Sequence, residues 1–85
     1  MVSLSTIFVE GSLRFFFWSK DLFEKMHVHV TNGDGLIKIW LPEMTIVIIR
    51  PGMRSDEMRK ALRLAQARYE EIARKWEAEK AKMRP

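Results

Sequence analysis

MTIVIIRPGMRSDEMRKAL, Met44 to Leu62, holds the boundary whose reading decides the fold. Up to Arg50 it is a near-continuous apolar run rich in β-branched residues, which suit a pleated surface. An unbroken apolar run of this kind is the pattern of a strand covered on both faces or lying at the centre of a sheet. Pro51-Gly52 ends it. Ser55 then reads as a helix N-cap, Asp56 and Glu57 fall in the first turn where the helix dipole favours acids, and Met58 opens an apolar seam. Across this short stretch the hydrophobic period passes from two to about 3.6.

Downstream, the seam continues through Leu62, Ala65, Tyr69, Ile72 and Trp76, at spacings of three and four residues, with neither Gly nor Pro between Ser55 and Arg84. The spacing predicts one long amphipathic helix over about residues 55–80. Running from Asp56 to Ala78, it would be roughly 35 Å long, more than a strand of six or seven residues covers. Its C-terminal end is therefore expected to overhang the sheet, leaving Trp76 to be buried by the sheet edge or by another chain.

Upstream, the period is two. Thr6–Glu10 and Ser12–Trp18 flank Gly11 as a first strand pair, with Leu13, Phe15 and Phe17 on one face of the second strand and Arg14, Phe16 and Trp18 on the other. Ser19–Lys25 reads as a polar loop carrying Leu22 and Phe23. Met26–Thr31 and Leu36–Leu41 form a hairpin about Asn32-Gly33-Asp34-Gly35, whose residues tolerate positive φ, and Pro42-Glu43 separates it from the apolar run. The Gly-Asp-Gly piece lacks the strand-to-helix setting of a phosphate loop and reads as a turn. The chain is thus expected to be α+β: an antiparallel β-meander of four to five strands, over about residues 5–50, packed on one long C-terminal amphipathic helix in a single domain, 1–85.

Eighty-five residues with 47% hydrophobic content can build one small core, and the absence of cysteine excludes disulfides and thiolate metal sites. The longest uncharged apolar run, Met44 to Ile49, is far short of the roughly 20 residues that cross a bilayer, and no leader pattern opens the chain. A cytoplasmic protein that neither spans nor binds a membrane is expected. Residues 1–53 carry five basic side chains (Arg14, Lys20, Lys25, Lys38, Arg50) against five acidic ones (Glu10, Asp21, Glu24, Asp34, Glu43), so the whole net charge of +4 lies beyond them. Arg59, Lys60, Arg63 and Arg68 stand in a segment with no acid, either a solvated helix face or a surface for nucleic acid or an acidic partner.

Alternation on the third strand points Val28 and Val30 to the core and His27, His29 and Thr31 to the opposite face, beside Lys38 and Trp40 or Leu36 of the next strand. Two imidazoles on a solvated strand face are ordinary. A metal is not expected, because no third ligand is evident beyond Asp34 or Glu43, and no cofactor is implied. His27 and His29 are instead the candidate catalytic residues of a metal-independent ribonuclease, with His as general base and Lys38, Arg59 and Arg63 on the phosphate. One helix leaves one sheet face open. Phe16, Trp18 and Trp40 are expected to pack under the helix, and the face left open, still aromatic, would call for a dimer, a partner or a stacked base.

The run LRFFFWSKD, then HVHVTNGDGLIKIWLP, then MRKALRLAQARYEEIARKWEA resembles the small bacterial proteins of domain-of-unknown-function family 4160, over about Thr6 to Glu77. The aromatic strand with the HxHV and GDG pieces carries the likeness. The family usually has two prolines ahead of the first histidine, where this chain has Lys25-Met26. The resemblance implies the toxin-type member of a toxin–antitoxin-like pair, commonly encoded beside a small protein proposed as its antitoxin. The expected role is accordingly that of an interaction protein. It would engage an antitoxin-like partner or a second copy of itself through Lys38, Arg59, Lys60, Arg63, Arg68, Phe16, Trp18, Trp40 and Trp76. RNA cleavage by His27 and His29, or RNA binding without cleavage, is the alternative.

Overall fold

In the computed structural model, which describes residues 3–83, five strands pair antiparallel in chain order: β1 (Leu4–Glu10), β2 (Leu13–Trp18), β3 (His27–Thr31), β4 (Leu36–Trp40) and β5 (Thr45–Arg50). A short 3-10 helix, Ser19–Phe23, links β2 to β3. Two helices follow, α1 (Ser55–Ala67) and α2 (Tyr69–Ala81).

Register sorts the side chains into two faces. Phe15, Val30, Ile37 and Ile48 align across β2 to β5 in one row, and Phe16, His29, Lys38 and Val47 in the next. Because alternate residues point to opposite faces, the first row belongs to the helix side. There Phe8, Leu13, Phe15, Val28, Val30, Ile37, Ile39 and Leu41 form one core with Ala61, Ala65 and Ile72. Ala61 and Ala65 are fully buried, and their small side chains let α1 close on the sheet, with Met58, Leu62, Leu64 and Tyr69 packed alongside. The expected seam thus holds at Ala65, Ile72 and Trp76, but Ala61 is central where Leu62 was expected.

The helix differs from the single rod that the spacing predicts. Its backbone leaves helical geometry at Arg68 (φ −113°, ψ 25°), although no Gly or Pro marks the place. Arg68 is held from both the sheet and α2. Its guanidinium lies 3.6 Å from the centre of the Phe8 ring, reaches Glu10 of β1 at 3.4 Å, and donates to Glu71 at 2.8 and 3.0 Å. Trp76 does not overhang: it is buried against Phe17 and Leu22, with its ring edge-on to Phe17. Ser55 is the first helical residue and not the cap. Arg54 occupies the N-cap, and Glu57 at the third position accepts its backbone N–H at 2.9 Å.

β5 is the other correction. An apolar run suited to a two-sided setting stands at the sheet's edge, with Val47, Ile48 and Ile49 exposed by 38%, 57% and 50%. The last strand of a meander has one neighbour whatever its composition. Asn32-Gly33-Asp34-Gly35 is the β3–β4 turn, as its residues indicate, and Asn32 also ties the turn to Gly52 and Glu57. Gly35 and Gly52 cross backbone to backbone: a Cβ on Gly35 would stand 2.5 Å from the Met53 nitrogen, and one on Gly52 would stand 2.8 Å from the Gly35 nitrogen.

Candidate functional site

The segment that decides the site is the 3-10 helix after β2. Trp18 ends its strand in extended geometry, and its N–H donates to the carboxylate of Asp21 three residues on, at 2.8 Å. That bond closes the turn over the non-helix face of the sheet. Leu22 enters the Phe17–Trp76 cluster while Phe23 stays outside, 78% exposed. Asp21 is consequently buried, only 3% exposed.

Beneath it lie the two histidines. They are not on a solvated face: His27 is fully buried and His29 is 6% exposed, because the 3-10 helix and the surrounding aromatics cover a face that strand alternation alone would leave open. Asp21 Oδ1 is 3.4 Å from His27 Nε2, and Oδ2 is 3.2 Å from His29 Nδ1. Neither contact has hydrogen-bond geometry, and both ring nitrogens are buried without a hydrogen-bond partner. His27 Nδ1 is 2.8 Å from the Lys25 carbonyl. Since a carbonyl only accepts, Nδ1 carries the proton there. Burial, opposed in part by the Asp21 charge, pushes the His29 imidazole down to about 4, with His27 and Lys38 lowering it further.

A collar of rings encloses the triad. Phe16 stacks on His29 at 5.5 Å, Trp18 meets it edge-on at 4.9 Å, Trp40 lies 5.1 Å from His27, and Trp76 lies 5.6 Å from it across the end of the β2–β3 ladder. The β2–β3 pairing ends at Phe16–His29. Phe16, Trp18 and Trp40 therefore do not pack under the helices. They occupy the opposite face around the triad, and Lys38 lies over the Trp40 ring at 4.3 Å.

The remaining residues singled out from sequence are dispersed. Arg59, Lys60 and Arg63 are exposed on α1, which packs on the Val28/Val30 side. They share no surface with the imidazoles. Arg68 is committed to Glu10 and Glu71. Asp34 lies in the β3–β4 turn and Glu43 pairs with Lys25, so neither supplies a third ligand to the histidines. Asp21, which sequence reasoning placed in a polar loop, does approach both. Its one sequence signal is an acid three residues beyond the last strand residue, where it can cap the turn.

A family model described as Domain of unknown function (DUF4160) matches residues 12–77. The chain belongs to this family. Comparison with the curated proteins and with the solved structures returned no match. The matched span runs from the start of β2 into α2 and includes Asp21, His27 and His29. No helix among the described residues is long and apolar enough to cross a membrane.

A second surface in this member of the family lies along β5. The ladder with β4 shifts between Leu36 and Ile37, leaving Ile49 without a cross-strand partner. On the helix side, Ile37, Ile48, Met53 and Met58 line an apolar hollow next to the strand. On the other side Val47 stands beside Lys38.

Proposed function

We propose that this chain is an interaction protein that binds an acidic, strand-bearing protein partner by adding one of the partner's strands to β5. The observation that carries the reading is the exposure of Val47, Ile48 and Ile49 on an edge strand. Outward-facing backbone groups give such an edge its affinity, and apolar side chains on both faces give it specificity. A partner strand would cover Val47 on one side and place a side chain in the hollow beside Ile48 and Met58 on the other. Lys38 on β4 stands beside Val47, Arg50 ends β5, and the chain's net charge is +4, so an acidic partner meets complementary charge. A toxin-type role within a two-protein system is the form this takes under the family resemblance. A ribonuclease draws no support from the site: an imidazole that takes a proton from an RNA hydroxyl must reach it, and His27 is fully buried.

The test is co-purification with the small antitoxin-like protein that the family resemblance implies is encoded beside this chain. A stable complex burying more than about 1,000 Å² is expected, lost in Val47→Lys/Ile49→Lys while that variant keeps its own unfolding midpoint. A complex that survives the double substitution overturns the reading, as does a chain whose β5 is consumed by a homodimer.

A further inference from the structure

We propose that Asp21, His27 and His29 form the binding site for one divalent transition-metal ion, best matched by Zn2+, with an Asp21 carboxylate oxygen, His27 Nε2 and His29 Nδ1 as its protein ligands. The three donor groups lie within 4.8 Å of one another and all three residues are buried. The hydrogen bond of His27 Nδ1–H to the Lys25 carbonyl fixes the tautomer in which Nε2 presents a lone pair. That lone pair faces Asp21 Oδ1 at 3.4 Å, and His29 Nδ1 faces Oδ2 at 3.2 Å. Both ring nitrogens are buried without a hydrogen-bond partner, and a lone pair held against a carboxylate oxygen is repelled unless a proton or a metal cation lies between them.

The spacing fits that cation. Ligands about 2.0–2.1 Å from a tetrahedral Zn2+ stand roughly 3.3 Å from each other; His27 Nε2 stands 3.4 Å from one oxygen of the Asp21 carboxylate and His29 Nδ1 stands 3.2 Å from the other. The donor atoms, now within 4.8 Å of one another, would have to close to that spacing by rotation of the rings and the carboxylate. The supporting contacts are those that orient metal ligands: a backbone carbonyl on the far nitrogen of one histidine, and the Trp18 N–H donating to the carboxylate at 2.8 Å. Two imidazoles and one carboxylate select Zn2+ and its first-row neighbours over Mg2+ or Ca2+, which take oxygen ligands. Three protein ligands leave a fourth position for water. Bound there, the ion would fasten the irregular Ser19–Phe23 segment to β3, so its binding is also folding free energy. This site is independent of the β5 edge.

The chain has two histidines and no cysteine, so imidazole ligation in tag-free protein reports on this site alone. Chelator-stripped protein should take up one equivalent of Zn2+, its unfolding midpoint rising by about 5 °C or more. Both imidazole 15N resonances should move, and Co2+ in place of Zn2+ should give the intense visible bands of a four-coordinate ion. His27→Gln, His29→Gln and Asp21→Asn should each weaken uptake by at least about tenfold. The asparagine keeps an acceptor for the Trp18 N–H. Zn2+ that leaves both imidazole resonances of the native chain in place overturns the proposal whether or not the variants fold, and so does undiminished binding by a folded Asp21→Asn.

Discussion

β3 and β5 exchange the roles their compositions suggest. HVHVT, with two histidines, is buried along almost its whole length, whereas TIVIIR, nearly all aliphatic, is an exposed edge. The difference teaches that position in the sheet is decided by chain order, and that composition then records what must cover each strand. β3 lies between two strands and beneath the 3-10 helix, so its polar side chains had to find polar company indoors. β5 has one neighbour, and its aliphatic side chains stand exposed.

One substitution made in both strands tests that contrast most severely. Val28→Asp puts an unpaired carboxylate at a fully buried site and should cost more than about 4 kcal/mol, close to the whole stability of a small domain. Ile48→Asp, at 57% exposure, should cost about 1 kcal/mol or less. Urea titrations of the two variants compare them directly, and equal losses would break the contrast.

Trp76 covers the β3 end of the site from α2, so Trp76→Ala should remove about 3–5 kcal/mol and unsettle both imidazole resonances. A loss below about 1 kcal/mol would place Trp76 on the expected overhang after all.

The metal-free protein should next show a pH response to which β3 contributes through His29. His29 titrates near 6.5 when unfolded and near 4 when folded, so the unfolded state binds the proton first. Stability from this group is fully present above about pH 6.5 and is lost as pH falls through the window down to 4. The groups facing it are Asp21, His27, Lys38 and Glu24. Unfolding midpoints measured across that range should decline more steeply in the native chain than in His29→Gln.

The smallest effect belongs to the edge. Ile49→Thr, half exposed and outside the ladder, should leave stability within about 0.5 kcal/mol while lowering the binding of a hydrophobic dye. A larger stability loss would mean that β5 is already covered.

Much of this was legible in the residues. The alternation of Val28 and Val30 against His27 and His29, the Asn-Gly-Asp-Gly turn and the helical seam through Ile72 and Trp76 are local patterns, and local patterns survive folding. Three features were not. Asp21 joins the histidines only because a side-chain cap folds a loop back across the sheet, so the triad is made by a turn and not by a spacing. The departure from helical geometry at Arg68, whose side chain meets Phe8 and Glu10 far away in sequence, has no Gly or Pro to announce it. For β5, the order of a meander contradicts the apolar run, and order wins.

The crossing of Gly35 with Gly52 has a consequence for how this chain can vary. Each glycine leaves room for the other's backbone, and a methyl group on either would stand within 2.8 Å of main-chain atoms. Alanine at one position must therefore open the crossing and release Asn32 from Gly52. Once it is open, alanine at the other position meets less of the obstruction that made the first change costly. Two sites well separated along the chain are thus a single epistatic unit: their effects combine non-additively, although Gly52, at φ +136°, carries a backbone cost of its own that opening the crossing does not relieve.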